Sequence, residues 1–167
     1  KIRWNQAWGG QIVKPGGELD AIKDGLAEIG ILVYPLGAPQ MPAHNISYYT
    51  PFVTPNIVLA AKTVDLVAAE FPKMGHALDP FNQTLLCSTG TVDSYQILSR
   101  KPINTLDDLK GMKIGGAGPN LQWIEGFGST GVSSNMAIVY NSIQTGIIDA
   151  MLLDGGNGMT VRIYEVA

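Results

Sequence analysis

The spacing of apolar positions along this chain changes several times, and each change predicts an element. Leu19, Ile22, Leu26 and Ile29 recur at intervals of three, four and three, a single helical stripe that starts at Glu18 after the break Pro15-Gly16-Gly17. Gly25 inside that stripe costs about 1 kcal/mol relative to alanine, which predicts close packing there. Residues 29–34 form a short apolar run ended by Pro35, the pattern of a buried strand. Asn56 caps a helix reaching Phe71, with Leu59, Ala60, Val64, Val67, Ala68 and Phe71 facing inward. Further strands are expected at the start of 1–13, over 83–88 and over 92–100. In the last of these, Val92, Ser94, Gln96 and Leu98 alternate against Asp93, Tyr95, Ile97 and Ser99. Such mixed polarity fits a strand lying between two bodies.

From 104 to 153 the punctuation is denser. Thr105 followed by Asp108 is a helix-start pattern, with Asp107 and Asp108 where the positive helix end favours them. Gly111 stops that turn, and residues 112–114 make a short strand. Gly115, Gly116 and Gly118 let the backbone turn before Pro119 opens the next helix. Ser133, Ser134 or Asn135 caps the following helix, whose apolar face is Met136, Val139, Tyr140 and Ile143 and which Gly146 ends. Residues 147–153 read as a strand covered on both faces. The alternation of strands and helices predicts an α/β fold in two lobes. Lobe I spans 1–90, a crossing strand 91–101, lobe II 102–150, and 151–167 returns toward lobe I. Closure is expected as a hinge motion near 88–100 and 150–158.

Composition narrows the function. Apolar residues make up 46% and charged residues 15%, which suits a packed α/β protein. A net charge of −3 with scattered Lys and Arg argues against nucleic acid as a partner. No apolar run approaches the roughly 18 residues of a membrane span, so no direct membrane insertion is expected. Cys87 is the lone cysteine, which leaves no internal disulfide framework and no cysteine-built zinc site. His44 and His76 lack metal-ligand spacing, and no base is paired with a nucleophile, so neither a metal nor a catalytic constellation is expected. Residues 36–55 hold Pro39, Pro42, Pro51, Pro55, His44, Tyr48, Tyr49 and Phe52, a long ordered excursion with short helical turns. Connections of that length are usually functional.

Together the runs P-I-N-T-L-D-D-L-K-G-M-K-I (102–114), G-S-T-G-V (128–132) and V-Y-N-S-I-Q-T-G-I-I-D-A (139–150) carry a resemblance. So do G-G-E-L-D-A-I-K-D-G-L-A-E-I-G (16–30) and P-F (51–52). The sequence resembles the DctP-type solute-binding proteins of TRAP (tripartite ATP-independent periplasmic) transporters. The resemblance implies a type II periplasmic-binding fold closing on a small organic acid, TRAP membrane subunits as partners, a periplasmic location, no cofactor and no enzymatic activity. It also implies a fragment that lacks both ends of the family's fold, with no signal segment in this chain. One departure matters: where the family typically carries an arginine for the ligand carboxylate, this sequence has Gly115.

The residues offer a substitute, since a glycine turn feeding a helix leaves backbone N–H groups free for an anion. Gly116, Gly118 and Asn120 are the candidates for that cradle; the same residues could be only a tight strand-to-helix turn. A neutral polyol-like ligand is also open. Trp8, Tyr34, Phe52 and Trp123 are candidate aromatic contacts, with Trp8 favoured for the cleft by its glycine neighbours and Phe52 closer to a core residue. Ser133, Asn135, Asp154 and Asn157 complete the candidate ligand-binding set. The competing reading is an α/β enzyme using residues 115–120 for a cofactor phosphate. Its weakness is that Leu121 stands where the third glycine of a G-x-G-x-x-G fingerprint belongs.

Overall fold

The computed structural model describes residues 2–89 and 95–167. Helices α1 (Glu18–Lys23), α2 (Ile46–Tyr49), α3 (Ile57–Glu70) and α4 (Pro72–Gly75) lie in the N-terminal half. The C-terminal half alternates β1 (Tyr95–Ser99), β2 (Lys113–Gly116), β3 (Thr130–Ser133), α5 (Val139–Gln144), β4 (Ala150–Asp154) and α6 (Gly155–Thr160). The four strands make one sheet in the order β1-β4-β2-β3. β2 runs parallel to both β3 and β4, and β1 pairs antiparallel with β4, placing Tyr95 opposite Asp154.

β4 shows why this sheet forms. Every residue of it is buried, and the side chains alternate between two cores, as the period of a strand requires. Ala150 and Leu152 pack with Leu109, Met112, Ile114 and Ile124 on one face. Met151 and Leu153 pack with Val139, Ile143, Ile148 and Ile163 on the other. The lead-in to β2 follows its sequence signals closely. Thr105 and Asp108 form a reciprocal capping box at the 3-10 turn Leu106–Leu109, and Gly111 adopts φ +75° behind it. Hydrogen bonds from the backbone N–H of Asn104 and Thr105 hold the Asp108 carboxyl below its ordinary range.

The N-terminal half departs from expectation in its strands. No strand forms among residues 2–89, so those expected near 1–13, 29–34 and 83–88 are corrected to extended chain and turns. A strand needs a hydrogen-bonded neighbour, and none of these segments has a ladder partner among the described residues. The helix begun at Glu18 ends at Lys23 rather than near Ile29. Gly25 does not mark close packing: it takes φ +75° with nothing within 4 Å of its would-be Cβ, and so terminates the helix. Leu26 and Ile29 are left exposed.

α3 matches its expected span, and the Asn56 side chain accepts from Leu59 N at 3.0 Å. Of its expected inward face, Ala68 is buried but Leu59 and Phe71 are exposed. The half's own core is small, built on Leu19, Met41 and Leu78. Val92, Asp93 and Ser94 of the expected crossing strand lie outside the described residues. The described part, β1, is the edge strand of the C-terminal sheet. Among the described residues no helix is long and apolar enough to cross a membrane.

Candidate functional site

Parallel strands β2, β3 and β4 end on the same edge of the sheet, and the segments at the ends of β2 and β3 face the N-terminal half. In open α/β sheets ligands bind outside that edge. A cavity of about 570 Å³ opens there, within the usual range of small-molecule sites. One wall is Pro35, Leu36, Pro39, Pro42 and Tyr49, and the other is Ala117, Gly118, Pro119, Gln122 and Ser133. Among the described residues, no lining side chain carries a charge.

The first wall is the proline-rich excursion, ordered by its own polar anchors. It forms 3-10 turns at Tyr34–Gly37 and Pro42–Asn45 and then α2. Asn45 is fully buried and donates through Nδ2 to Tyr34 O at 3.1 Å and Met41 O at 3.0 Å. His44 is buried beside it, its ring 4.9 Å from that of Tyr34. Burial holds the His44 imidazole below its ordinary value. Because the folded pKa lies below the unfolded one, the unfolded chain takes up the proton first. The stability from neutral His44 is therefore complete above about pH 6.5 and is lost as pH falls through the folded value. Urea midpoints should drop between pH 7 and pH 5 in the wild type, and His44→Leu should flatten that slope. A slope unchanged in His44→Leu contradicts this assignment.

Beside the cavity the two halves meet through aromatic rings. Trp123 stacks on Tyr48 at 5.9 Å and 17°, meets Tyr95 edge-on at 5.2 Å, and lies 5.5 Å from Phe52. Its indole N–H donates to Tyr48 O at 2.7 Å. The Tyr48 and Tyr95 hydroxyls are 2.9 Å apart. Burial, followed by the nearby Asp154 carboxylate, raises the Tyr48 phenol above its ordinary value, and the Tyr95 hydrogen bond partly offsets this. Asp154 itself, buried at the end of β4, caps α6 by accepting from Asn157 N at 3.0 Å and Asn157 Nδ2 at 2.6 Å.

The sequence-derived candidates divide by location. Gly118 and Ser133 line the cavity, and Phe52 and Trp123 belong to the adjoining aromatic cluster. Phe52 is exposed rather than a core plug and takes φ +62°. Gly116 and Asn120 lie buried beneath the turn. Asp154 and Asn157 bind each other at the strand end. Tyr34 lines a neighbouring hollow with Leu32 and Met41. Trp8 is 63% exposed, bonded among the described residues only to Gln6 at 3.2 Å, and lines neither hollow.

Asn135 accepts from Ala137 N at 2.9 Å in a local turn. The cap of α5 is Ile138 without a side-chain bond, so Ser133, Ser134 and Asn135 do not cap it. Ser133 ends β3, and Ser134 N extends the ladder to Gly116 O. The amide cradle is thinner than expected: Pro119 has no N–H, and Asn120 N points to Ala117 O at 3.4 Å. Tyr48, Tyr49, Tyr95 and Gln122 were missed. The adjacent pair Tyr48-Tyr49 in a long proline-rich excursion was the available signal.

A mostly parallel α/β sheet with a cavity at its carboxyl edge, walled by a second body, is the geometry of a small-molecule binding protein. The chain belongs to the bacterial extracellular solute-binding protein family 7 (DctP), whose model matches residues 2–167. No curated protein matches the chain in sequence. Among solved structures, it is similar to a TRAP periplasmic solute-binding protein from a Sulfitobacter species with bound β-D-galacturonate. That match has 24% identity and a TM-score of 0.77, covering 95% of this chain and 52% of the other.

It is also similar to DctP6 of Bordetella pertussis, an extracytoplasmic solute receptor binding pyroglutamic acid. Here identity is 22% and the TM-score 0.76, over 94% of this chain and 51% of the other. A TRAP solute-binding protein from a marine metagenome, in complex with co-purified pyroglutamate, matches at 21% and 0.77 over 95% and 51%. The chain thus spans about half the length of these structures, and they agree with the expected α/β fold of the TRAP solute-binding proteins.

Proposed function

We propose that this chain is part of a periplasmic receptor that captures a small, polar organic acid between two bodies and delivers it to a TRAP-type permease. The observation that carries the reading is the cavity of about 570 Å³ at the carboxyl edge of the parallel strands, walled on both sides and lined by proline, aromatic and small polar residues. Among the described residues no acid/base pair faces the space, and concave sites of that size and lining are where small solutes bind.

Family membership supports the same reading, and the galacturonate and pyroglutamate held by its structural neighbours suggest the class of ligand. Within the cavity Gln122, Ser133 and Tyr49 supply neutral hydrogen-bonding groups. The Ala117 and Gly118 backbone offers further donors, and Trp123, Tyr48 and Phe52 stack beside them. Lobe boundaries near 90 and 101 and a hinge in the segments joining the two halves complete the proposal.

Thermal unfolding of the full-length protein against dicarboxylates, 2-oxo acids, aromatic acids, pyroglutamate and uronates tests it. A ligand at one hundred times its Kd should add about 2.7 kcal/mol of stability. Chemical conversion of a stabilising solute would defeat the receptor reading, and so would indifference to the whole panel.

A further inference from the structure

Two residues that line the cavity from opposite walls, Tyr49 and Gln122, each sit one position from a residue bonded across the gap. The Trp123 indole N–H donates to Tyr48 O at 2.7 Å. The peptide unit leading into Tyr49 is thereby tied to the residue that follows Gln122. Rings reinforce the tie: Trp123 stacks on Tyr48 with centroids 5.9 Å apart and meets Tyr95 edge-on at 5.2 Å. The Tyr48 and Tyr95 hydroxyls lie 2.9 Å apart, which joins the same segment to β1. Phe52 packs on the outer side, 5.5 Å from Trp123 and 61% exposed, at φ +62°. A bulky residue takes that left-handed conformation only where its surroundings hold it, and such residues gather at clamps and switches.

We propose that Tyr48, Trp123 and Tyr95 form a clasp that is made when the two halves close on a solute and released when they part. Trp123 is its positioning residue and sets the spacing between Tyr49 and Gln122. The inference rests on the receptor reading and adds the contact through which binding and closure are coupled. A solute touching both Tyr49 and Gln122 favours the spacing at which the indole N–H reaches Tyr48 O. By linkage, the clasp then raises affinity for the solute by the same factor that the solute stabilises the clasp. The contact is of a kind that can be remade in each cycle. It consists of half-buried rings and two hydrogen bonds rather than a sealed core, so a ligand with modest preference for the closed form can shift it.

Two measurements on the full-length protein test the clasp, with pyroglutamate and D-galacturonate as probes, or the solute of the thermal panel that stabilises most. In the first, every tryptophan except Trp123 is replaced by phenylalanine, Trp4 and Trp8 included, and calorimetry checks that binding is kept. Acrylamide quenching of the Trp123 emission should then fall when the probe is added, because the indole moves from solvent to its place among the tyrosine rings. In the second, calorimetric titration compares the wild type with Trp123→Phe, which keeps a ring but removes the N–H donor. The variant should bind the probe about fivefold more weakly, the worth of one ordinary hydrogen bond made only in the closed form.

A Trp123→Phe protein that melts lower but binds with wild-type affinity assigns the bond to stability alone and overturns the proposal. Unchanged quenching at a saturating probe overturns it while the receptor reading stands, and this result decides even where Trp123→Phe fails to fold. Should the all-phenylalanine background lose binding, the Trp123→Phe titration decides by itself. Silence of the wild type toward both probes and the whole panel removes the receptor reading and this inference together.

Discussion

Gly115→Arg should destabilise the C-terminal sheet rather than create a carboxylate clamp. A Cβ on Gly115 would lie 2.7 Å from Met151 Sδ, 2.8 Å from Ile148 Cδ1 and 3.3 Å from Ser134 Cβ. Met151 and Ile148 belong to the core that joins β4 to α5, and close-packed interiors yield little. Gly115→Ala alone should cost about 1–3 kcal/mol by overpacking. Arginine adds the burial of an unpaired charge, worth several kcal/mol more. Against a total stability of about 5–15 kcal/mol, the arginine variant should be largely unfolded or require a shifted β2. Urea denaturation followed by far-ultraviolet circular dichroism measures both variants. A Gly115→Arg protein with the wild-type midpoint and tighter binding of a simple dicarboxylate would show that the position opens toward the cleft instead.

Trp123→Ala should weaken the contact between the two halves by about 3 kcal/mol, the lower end of the range for large aromatic truncations because the residue is only half-buried. The truncation removes ring contacts to Tyr48, Tyr95 and Phe52 together with the indole hydrogen bond to Tyr48 O. Trp123→Phe keeps most of the ring area and loses the bond, at about 1 kcal/mol. The alanine variant should also lose protection from proteolysis in the 46–52 segment, which Trp123 holds against the sheet edge. Equal midpoints for Trp123→Ala and the wild type would mean that the aromatic cluster carries no weight in joining the halves.

The elements legible in the sequence were those whose cause is local. The capping box at Thr105 and Asp108, the Asn56 cap of α3, the left-handed stop at Gly146 and the doubly apolar run of β4 each depend on residues a few positions apart. The helix of residues 18–29 was misjudged because an apolar stripe says nothing about where a positive φ will be used, and Gly25 uses it to stop. Strands in the N-terminal half could not be read reliably, since a strand exists only with a neighbour and apolar runs do not name one. Within the site, the glycine turn and Trp123 were visible as unusual local chemistry. Tyr95 and Gln122 were not, because each is an ordinary residue until folding sets it beside the others.

By itself the sequence determined the family, the alternation that builds the C-terminal sheet, and the glycine at position 115 that departs from the arginine expected there. All of these are written in the order and spacing of neighbouring residues. Only the tertiary structure decided that Gly115 faces a filled core, that the described residues walling the cavity are neutral, and that Asn120 is buried against Gly116. Those facts depend on which distant segments meet, and long-range packing is fixed by the joint fit of many side chains rather than by any one stretch of chain.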